Sequence, residues 1–323
     1  MRSTTLDAAA ARLAELLTIG GGGLADGAHG DLEFEPEIDL RPLERRVPPA
    51  DVWAVDGGQA LVADARCLQL IVTRASRVRY RDGACVLEDE GDLRAHLLGG
   101  IEGRTAVEAL ELGLAADTAI DVNLLRDRWE WDAVARSIDE CERGGLVLVD
   151  GDLQPDWRIP SSFMADLLAR AEQRGVLVAG VTKHSSLSRG GAPLLGQLER
   201  EAAEALGGRS TWWARVAHTR HDLGGFQVLV ARLDPDARFA FRVDLPTTAD
   251  AAAALGALSA LSDDAAFPGY PYPLTVADRL AACPPWLRAD VRMQLDELFD
   301  LAGVPFDVRE RAFADRHDLM ERA

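Results

Sequence analysis

Between residues 52 and 89, three runs of strand-forming residues follow one another with almost nothing between them. Residues 52 to 63, "CLQLIVTRASRVRY" (67 to 80) and "ACVLED" (84 to 89) are rich in Val, Ile, Leu and Tyr, and the links "DAR" and "RDG" are long enough only for hairpins. Three antiparallel strands therefore open the folded region. A helical pattern occupies 92 to 143, with Leu124, Val134 and Ile138 among its apolar positions, before Leu146 to Val149 returns as a short buried strand. "SSFMADLLARAEQRG" (161 to 175) reads as a helix with a Ser cap, Phe163, Leu167 and Leu168 on one face, and a terminating glycine. "VLVAGVTK" (176 to 183) is a further strand. The order βββαβαβ predicts a mixed sheet, since the meander supplies antiparallel neighbours and the helical crossovers parallel ones.

This is the order of the ribonuclease H-like α/β fold, here with flanking helices and C-terminal extensions. Past Lys183, "LLGQLEREAAEAL" (194 to 206) reads as a helix, "FQVLVARL" (226 to 233) and "RFAFRVDLP" (238 to 246) as strands, and 247 to 262 and the stretch from Leu274 toward Ala323 as helices. Before residue 51 lie a capped amphipathic helix, with Leu13, Leu16 and Leu17 on one face, and an acidic arm with little periodicity. The expected organisation is an N-terminal helix and arm over 1–50 and one large domain over 51–323. The chain has 323 residues and 48% hydrophobic content, enough for a sizeable core. Its four cysteines are scattered without zinc-ligand spacing, and neither a signal peptide nor a bilayer-length apolar stretch is evident, so the expectation is a cytoplasmic protein without a membrane segment.

Two of the predicted strands carry acids where a core strand has little use for them. "VWAVDGGQA" (52 to 60) is interrupted by Asp56, and "GLVLVDGDLQ" (145 to 154) ends in Asp150-Gly151-Asp152. In a sheet of this order the first and fourth strands are neighbours, which sets Asp56 and Asp150 side by side. Close like charges need a cation between them or a shared proton, and hard divalent ions suit such oxygens. The chemistry suggested is two-metal phosphodiester hydrolysis, with ions about 3.5–4 Å apart at the attacking and leaving oxygens. Glycine after each acid would let a bulky phosphodiester approach. The competing reading is a pair of ordinary Asp-Gly turns. A third acid is expected from the helix "LLRDRWEWDAVARSIDE"; Glu130 is the first choice, flanked by apolar Trp129, Ala133 and Ile138, with Asp132 and Glu140 as alternatives.

"AVDGG" (54 to 58), "RDRWEW" (126 to 131), "LVLVDGDL" (146 to 153), "VAGVTKHSSL" (178 to 187), "FRVDLP" (241 to 246) and "GYPYPLTVADRLA" (269 to 281) form an ordered set that resembles the NurA nuclease family, the DNA-end-processing partners of the HerA ATPase. The resemblance implies a ribonuclease H-like nuclease using Mn²⁺ or Mg²⁺ on DNA, with 5′ to 3′ single-strand exonuclease and single-strand endonuclease activity; the paired acids suggest two ions. It also implies a homodimer that acts on single-stranded DNA and DNA ends with a HerA-type hexameric ATPase in resection and recombinational repair. Asp56, Glu130 and Asp150 match the family's metal ligands. Asp278 stands where the family usually has His, and a carboxylate there completes an all-oxygen set. That departure also raises a rival expectation, a catalytically impaired scaffold or regulatory subunit of a HerA-type motor.

Lys183, the only lysine in the chain, ends the fifth strand beside the acids and is expected to contact a phosphate, with His184 and Arg189 as possible assistants. Tyr270 and Tyr272 suit either base stacking or packing of their turn, "TWWAR" (211 to 215) reads as core or interface, and Asp152, where the family has Ser, is expected to face solvent. The formal net charge of −18 opposes a non-specific nucleic-acid coat. It is compatible with a narrow positive path into the site and with delivery of the strand by a partner.

Overall fold

The computed structural model describes residues 4–18, 21–27, 32–99, 118–154, 156–219 and 225–314. Helix α1 (Thr4–Thr18) and three short strands, β1 (Leu24–Asp26), β2 (Leu32–Phe34) and β3 (Arg41–Pro42), precede the expected meander. The meander is β4 (Asp51–Asp64), β5 (Gln69–Arg81) and β6 (Ala84–Asp89), antiparallel throughout. β7 (Arg94–Leu98) pairs with the start of β5 and leads toward helix α2 (Val122–Glu140). There follow β8 (Leu146–Asp150), α3 (Ser161–Arg174), β9 (Leu177–Thr182), β10 (Leu187–Arg189), β11 (Ala192–Pro193) and α4 (Leu194–Leu206). The chain continues through β12 (Trp212–Thr219), β13 (Phe226–Arg232), β14 (Phe241–Pro246), α5 (Ala251–Ala260), α6 (Tyr272–Ala281), α7 (Pro285–Leu301) and α8 (Phe306–Phe313).

The large sheet of the described residues runs in the order β2-β12-β13-β14-β9-β8-β4-β5-β6, with β3 beside β12 and β7 beside β5. β8 lies parallel to both β4 and β9, while every other pairing is antiparallel. This is the expected ribonuclease H-like mixed sheet. A smaller sheet, β1-β10-β11, ties the N-terminal segment to the stretch after β9.

Alternation of side chains across the strands builds two cores. Trp53, Val55, Val147, Val149 and Val178 pack toward α2, α3 and α4, whose Leu125, Leu167 and Leu198 are buried against them. Val52, Ala54, Leu148, Ala179 and Val181 pack on the other face toward Leu255 and Leu258 of α5 and Leu274 and Ala277 of α6. Both faces are covered, which explains why the central strands read as nearly continuous apolar runs.

Several expectations need correction. The helical pattern drawn from residue 92 is a strand over Arg94–Leu98, and the helix begins only at Val122; residues 100–117 of that stretch lie outside the described residues. "TWWAR", by contrast, is core as expected, with Trp212 and Trp213 both buried in β12. Helix α3 starts behind Pro160 with no side-chain cap, in place of the expected Ser cap. The Leu13 and Leu17 face of α1 is exposed. No helix of the described residues is long and apolar enough to cross a membrane.

The glycines of "DGG" are not a turn: β4 passes straight through them, with Gly57 paired to Ala75 and Gly58 to Arg74. A Cβ on Gly58 would overlap the backbone carbonyl of Ala281, at the end of α6. The same carbonyl accepts from Arg74 Nε at 3.1 Å, and Ser76 Oγ donates to Ala277 O at 2.7 Å. Helix α6 is thus fastened to β5 by side-chain bonds to its carbonyls, and to β4 by a backbone approach at Gly58 that leaves no space for a methyl group. Gly58→Ala is expected to cost about 1–3 kcal/mol of unfolding free energy, as overpacking does. Urea denaturation checks this, and an unchanged midpoint would mean that α6 does not press on β4.

Candidate metal centre

The register of two parallel strands brings the acids together. Val55 is level with Val149 across β4 and β8, so Asp56 and Asp150 follow side by side. Asp56 alternates with Val55 and therefore shares the α6 face with Ala54, where Asp278 of α6 meets it. One carboxylate oxygen from each of Asp56, Asp150 and Asp278 lies within 4.8 Å of the other two. Asp56 is 9% exposed, and Asp278 sits at the rim with 54% of its side chain exposed.

Lys183, one residue past β9, inserts its ammonium between two of these acids. Its Nζ is 2.5 Å from Asp150 Oδ2 and 2.5 Å from Asp278 Oδ1. A cation already finds favourable ground between those carboxylates, and three converging oxygen donors are the ligand set that hard divalent ions prefer. The residues present therefore fit Mg²⁺ or Mn²⁺.

Glu130 approaches from the opposite face. It is 7% exposed on α2, and its Oε2 would lie 2.5 Å from a Cβ built on Gly57. Gly57 is thus a gap in the strand that admits the Glu130 carboxylate, rather than an opening for a ligand. Gly151 fits the earlier expectation better: its φ of +142° favours glycine, and the space beside it is open. The alternatives to Glu130 are engaged elsewhere, Asp132 with Arg128 and Arg136, and Glu140 with Arg77.

The electrostatics follow from burial. Asp56 is pushed up to about 7, first by desolvation and then by Asp150 and Asp278, against the opposing pull of Lys183 and the Gly57 N–H. Glu130 is raised well above the usual carboxylate range by burial and by Asp56, which the Arg126 guanidinium offsets only in part. Asp150 is raised by burial despite the ion pair with Lys183. Lys183 itself is raised because Asp150 and Asp278 outweigh its desolvation.

The tyrosines pack rather than present stacking platforms. Tyr270 is buried between Phe241 and Phe267, and Tyr272 meets Tyr80 edge-on at 5.1 Å. The buried Tyr270 hydroxyl has no hydrogen-bond partner of good geometry among the described residues, although it lies near enough to Asp150 for that charge to raise its pKa further. Arg189 is committed to Gln197 and Glu201, while His184 is exposed. Asp152 is only partly exposed, because it faces Arg242 at 3.8 Å. Sequence reasoning passed over Tyr270's contact with Asp150 and the fastening of α6 by Arg74 and Ser76. The signal for the latter was present in β5, where Arg74 and Ser76 alternate onto the face that carries Asp56.

The raised pKa of Asp56 makes a pH prediction. Its folded pKa exceeds the unfolded value, so the native state holds the extra proton and loses stability as pH rises from about 4 through about 7. Without divalent metal, Asp56→Asn is expected to add about 2 kcal/mol or more to the unfolding free energy at pH 8 and to add nothing at pH 4. Denaturant titrations at the two pH values check it, and an equal effect at both would refute it.

No family model matches the chain, and no curated protein matches it. Among solved structures the chain is similar to the NurA nuclease from Sulfolobus solfataricus, with a TM-score of 0.57 and 14% identity over 81% of this chain and 88% of that one. A second NurA structure gives a TM-score of 0.43 at 9% identity, over 74% of this chain and 86% of that chain. The catalytic domain of human Endonuclease V gives 0.38 at 14% identity, over 94% and 100%. At such identities the likeness to the Sulfolobus nuclease is one of fold, and it agrees with the mixed sheet already described.

Proposed function

We propose that this chain is a metal-dependent deoxyribonuclease. The observation that carries the reading is the convergence of Asp56, Asp150 and Asp278 within 4.8 Å, at the position where two parallel strands deliver acids to one point. Asp56, Asp150 and Asp278 would hold Mn²⁺ or Mg²⁺, and Glu130, which lines one cleft with Asp150 from the α2 side, would reach a second ion. Ions held there would supply positive charge at the attacking and leaving oxygens of phosphodiester hydrolysis. Lys183, with about a third of its side chain exposed at the rim, is the group suited to meet a non-bridging phosphate oxygen. Gly151 leaves the wall beside Asp150 open to a strand.

The finer reading follows the family resemblance. It comprises 5′ to 3′ exonuclease and endonuclease activity on single-stranded DNA, action at DNA ends in recombinational repair, a cytoplasmic homodimer, and a HerA-type ATPase as partner. The net charge of −18 supports dependence on a partner for DNA delivery. Asp278 reaches the other two acids although it replaces the family His, and this favours a catalytic role over a scaffold.

Degradation of end-labelled single-stranded and duplex DNA with Mn²⁺, Mg²⁺ or EDTA tests the reading. The expected result is metal-dependent cleavage that Asp56→Ala abolishes. No cleavage, even with a HerA-type partner present, would favour the scaffold. Lys183→Met separates the roles of the site's cation. It is expected to tighten Mn²⁺ binding, because a competing ammonium is gone, while lowering turnover by about 100-fold, as loss of a charge-stabilising donor does. Weaker Mn²⁺ binding would show instead that Lys183 orients the carboxylates.

A further inference from the structure

"FRVDLP" resembled the family but supplies none of the three clustered acids. Arg242 and Asp244 alternate away from Phe241, Val243 and Leu245, and so lie on the face of the sheet opposite Asp56. Arg242 is 1% exposed and grips Asp244 with two parallel bonds, from Nε and Nη2, both at 2.9 Å. Its remaining arm, Nη1, donates to Asp26 Oδ2 of β1 at 3.0 Å and faces Asp152 Oδ2 at 3.8 Å. Burying such a group is costly unless every partner is in place, and the planar fork of arginine fixes the partners' geometry as well as their charge.

The connections of this knot run to the segments that follow both residues of the Lys183–Asp150 pair. Three residues past Asp150, the Leu153 N–H donates to Asp244 Oδ2 at 3.2 Å. Three residues past Lys183, the Ser186 hydroxyl donates to Asp26 Oδ1, and Ser186 O accepts from the Gly27 N–H at 3.3 Å. Strand pairing locks the same join, with Asp26 level with Leu187 across β1 and β10. A single guanidinium therefore fastens the two loops that leave the centre, and the N-terminal segment supplies one of its carboxylates.

We infer that Arg242 is a positioning residue for the metal centre and that residues 24 to 27, remote in sequence and without a ligand of their own, complete its support. The inference rests on the metal-dependent reading above. Groups that orient ligands from behind typically change metal affinity by about 10–100-fold when they are altered.

Mn²⁺ binding to the full chain, followed through the paramagnetic resonance signal of the free ion, tests it. The unsubstituted chain, Asp26→Asn, Arg242→Lys and Ser186→Ala are compared well below their unfolding temperatures with Leu258→Ala, a core variant on the other face. Asp26→Asn keeps the Arg242–Asp244 fork, and Ser186 is exposed, so Ser186→Ala serves where a buried variant fails to fold. The expected result is affinity about 10-fold weaker for Asp26→Asn and for Arg242→Lys, a smaller loss for Ser186→Ala, and none for Leu258→Ala. Unchanged affinity in the folded knot variants, with binding intact in the unsubstituted chain, overturns the inference alone. Absence of binding in the unsubstituted chain removes the metal reading and the inference with it.

Discussion

Two carboxylates forced side by side in a low-dielectric place are the constraint that organises this molecule. The parallel register of β4 and β8 leaves Asp56 and Asp150 no means of separating, since moving either would slip a strand whose side chains fill both cores. Their repulsion can be relieved only by protonation or by positive charge. The surrounding structure supplies both: burial lifts Asp56 toward neutrality, and Lys183 places an ammonium against Asp150. Asp278 then adds a third carboxylate at the rim, and the three together could hold a further cation.

The two faces of the sheet divide the work. The α6 side carries the carboxylates and the lysine, while the α2 and α3 side carries Glu130 and the ion knot centred on Arg242. Buried ion pairs of this sort contribute little net stability compared with apolar residues of similar volume, so their presence is better explained by the geometry they impose. On one face the charges are left under tension, and on the other they are matched. The matched set holds the loops that emerge beside the strained one.

Much of the fold was legible because its strands are buried on both faces or alternate cleanly. Asp56 and Asp150 stood out because they interrupt apolar runs. β7 escaped notice because "RAHLL" has the composition of a helix, and its pairing with β5 decides the matter through contacts more than twenty residues apart. Arg242 and Asp244 illustrate the deeper limit. Polar residues alternating with Phe241, Val243 and Leu245 have the pattern of a strand with one wet face, and that face is dry because distant segments, among them Asp26 from more than two hundred residues away, come to cover it. Asp278 could be placed by resemblance but not by spacing, because its distance from Asp56 depends on how α6 lands on Gly58.

Gly57 has a further consequence. At that residue the wall between the two sides of the sheet is one peptide thick, with Glu130 pressed against it from behind and Asp56 beginning the other side. The acids repel each other through the backbone itself, so a proton gained on one side is felt on the other without any chain of intervening side chains. Glu130 and Asp56 are therefore electrostatically linked across the sheet, and the partition between them is a residue defined by what it lacks.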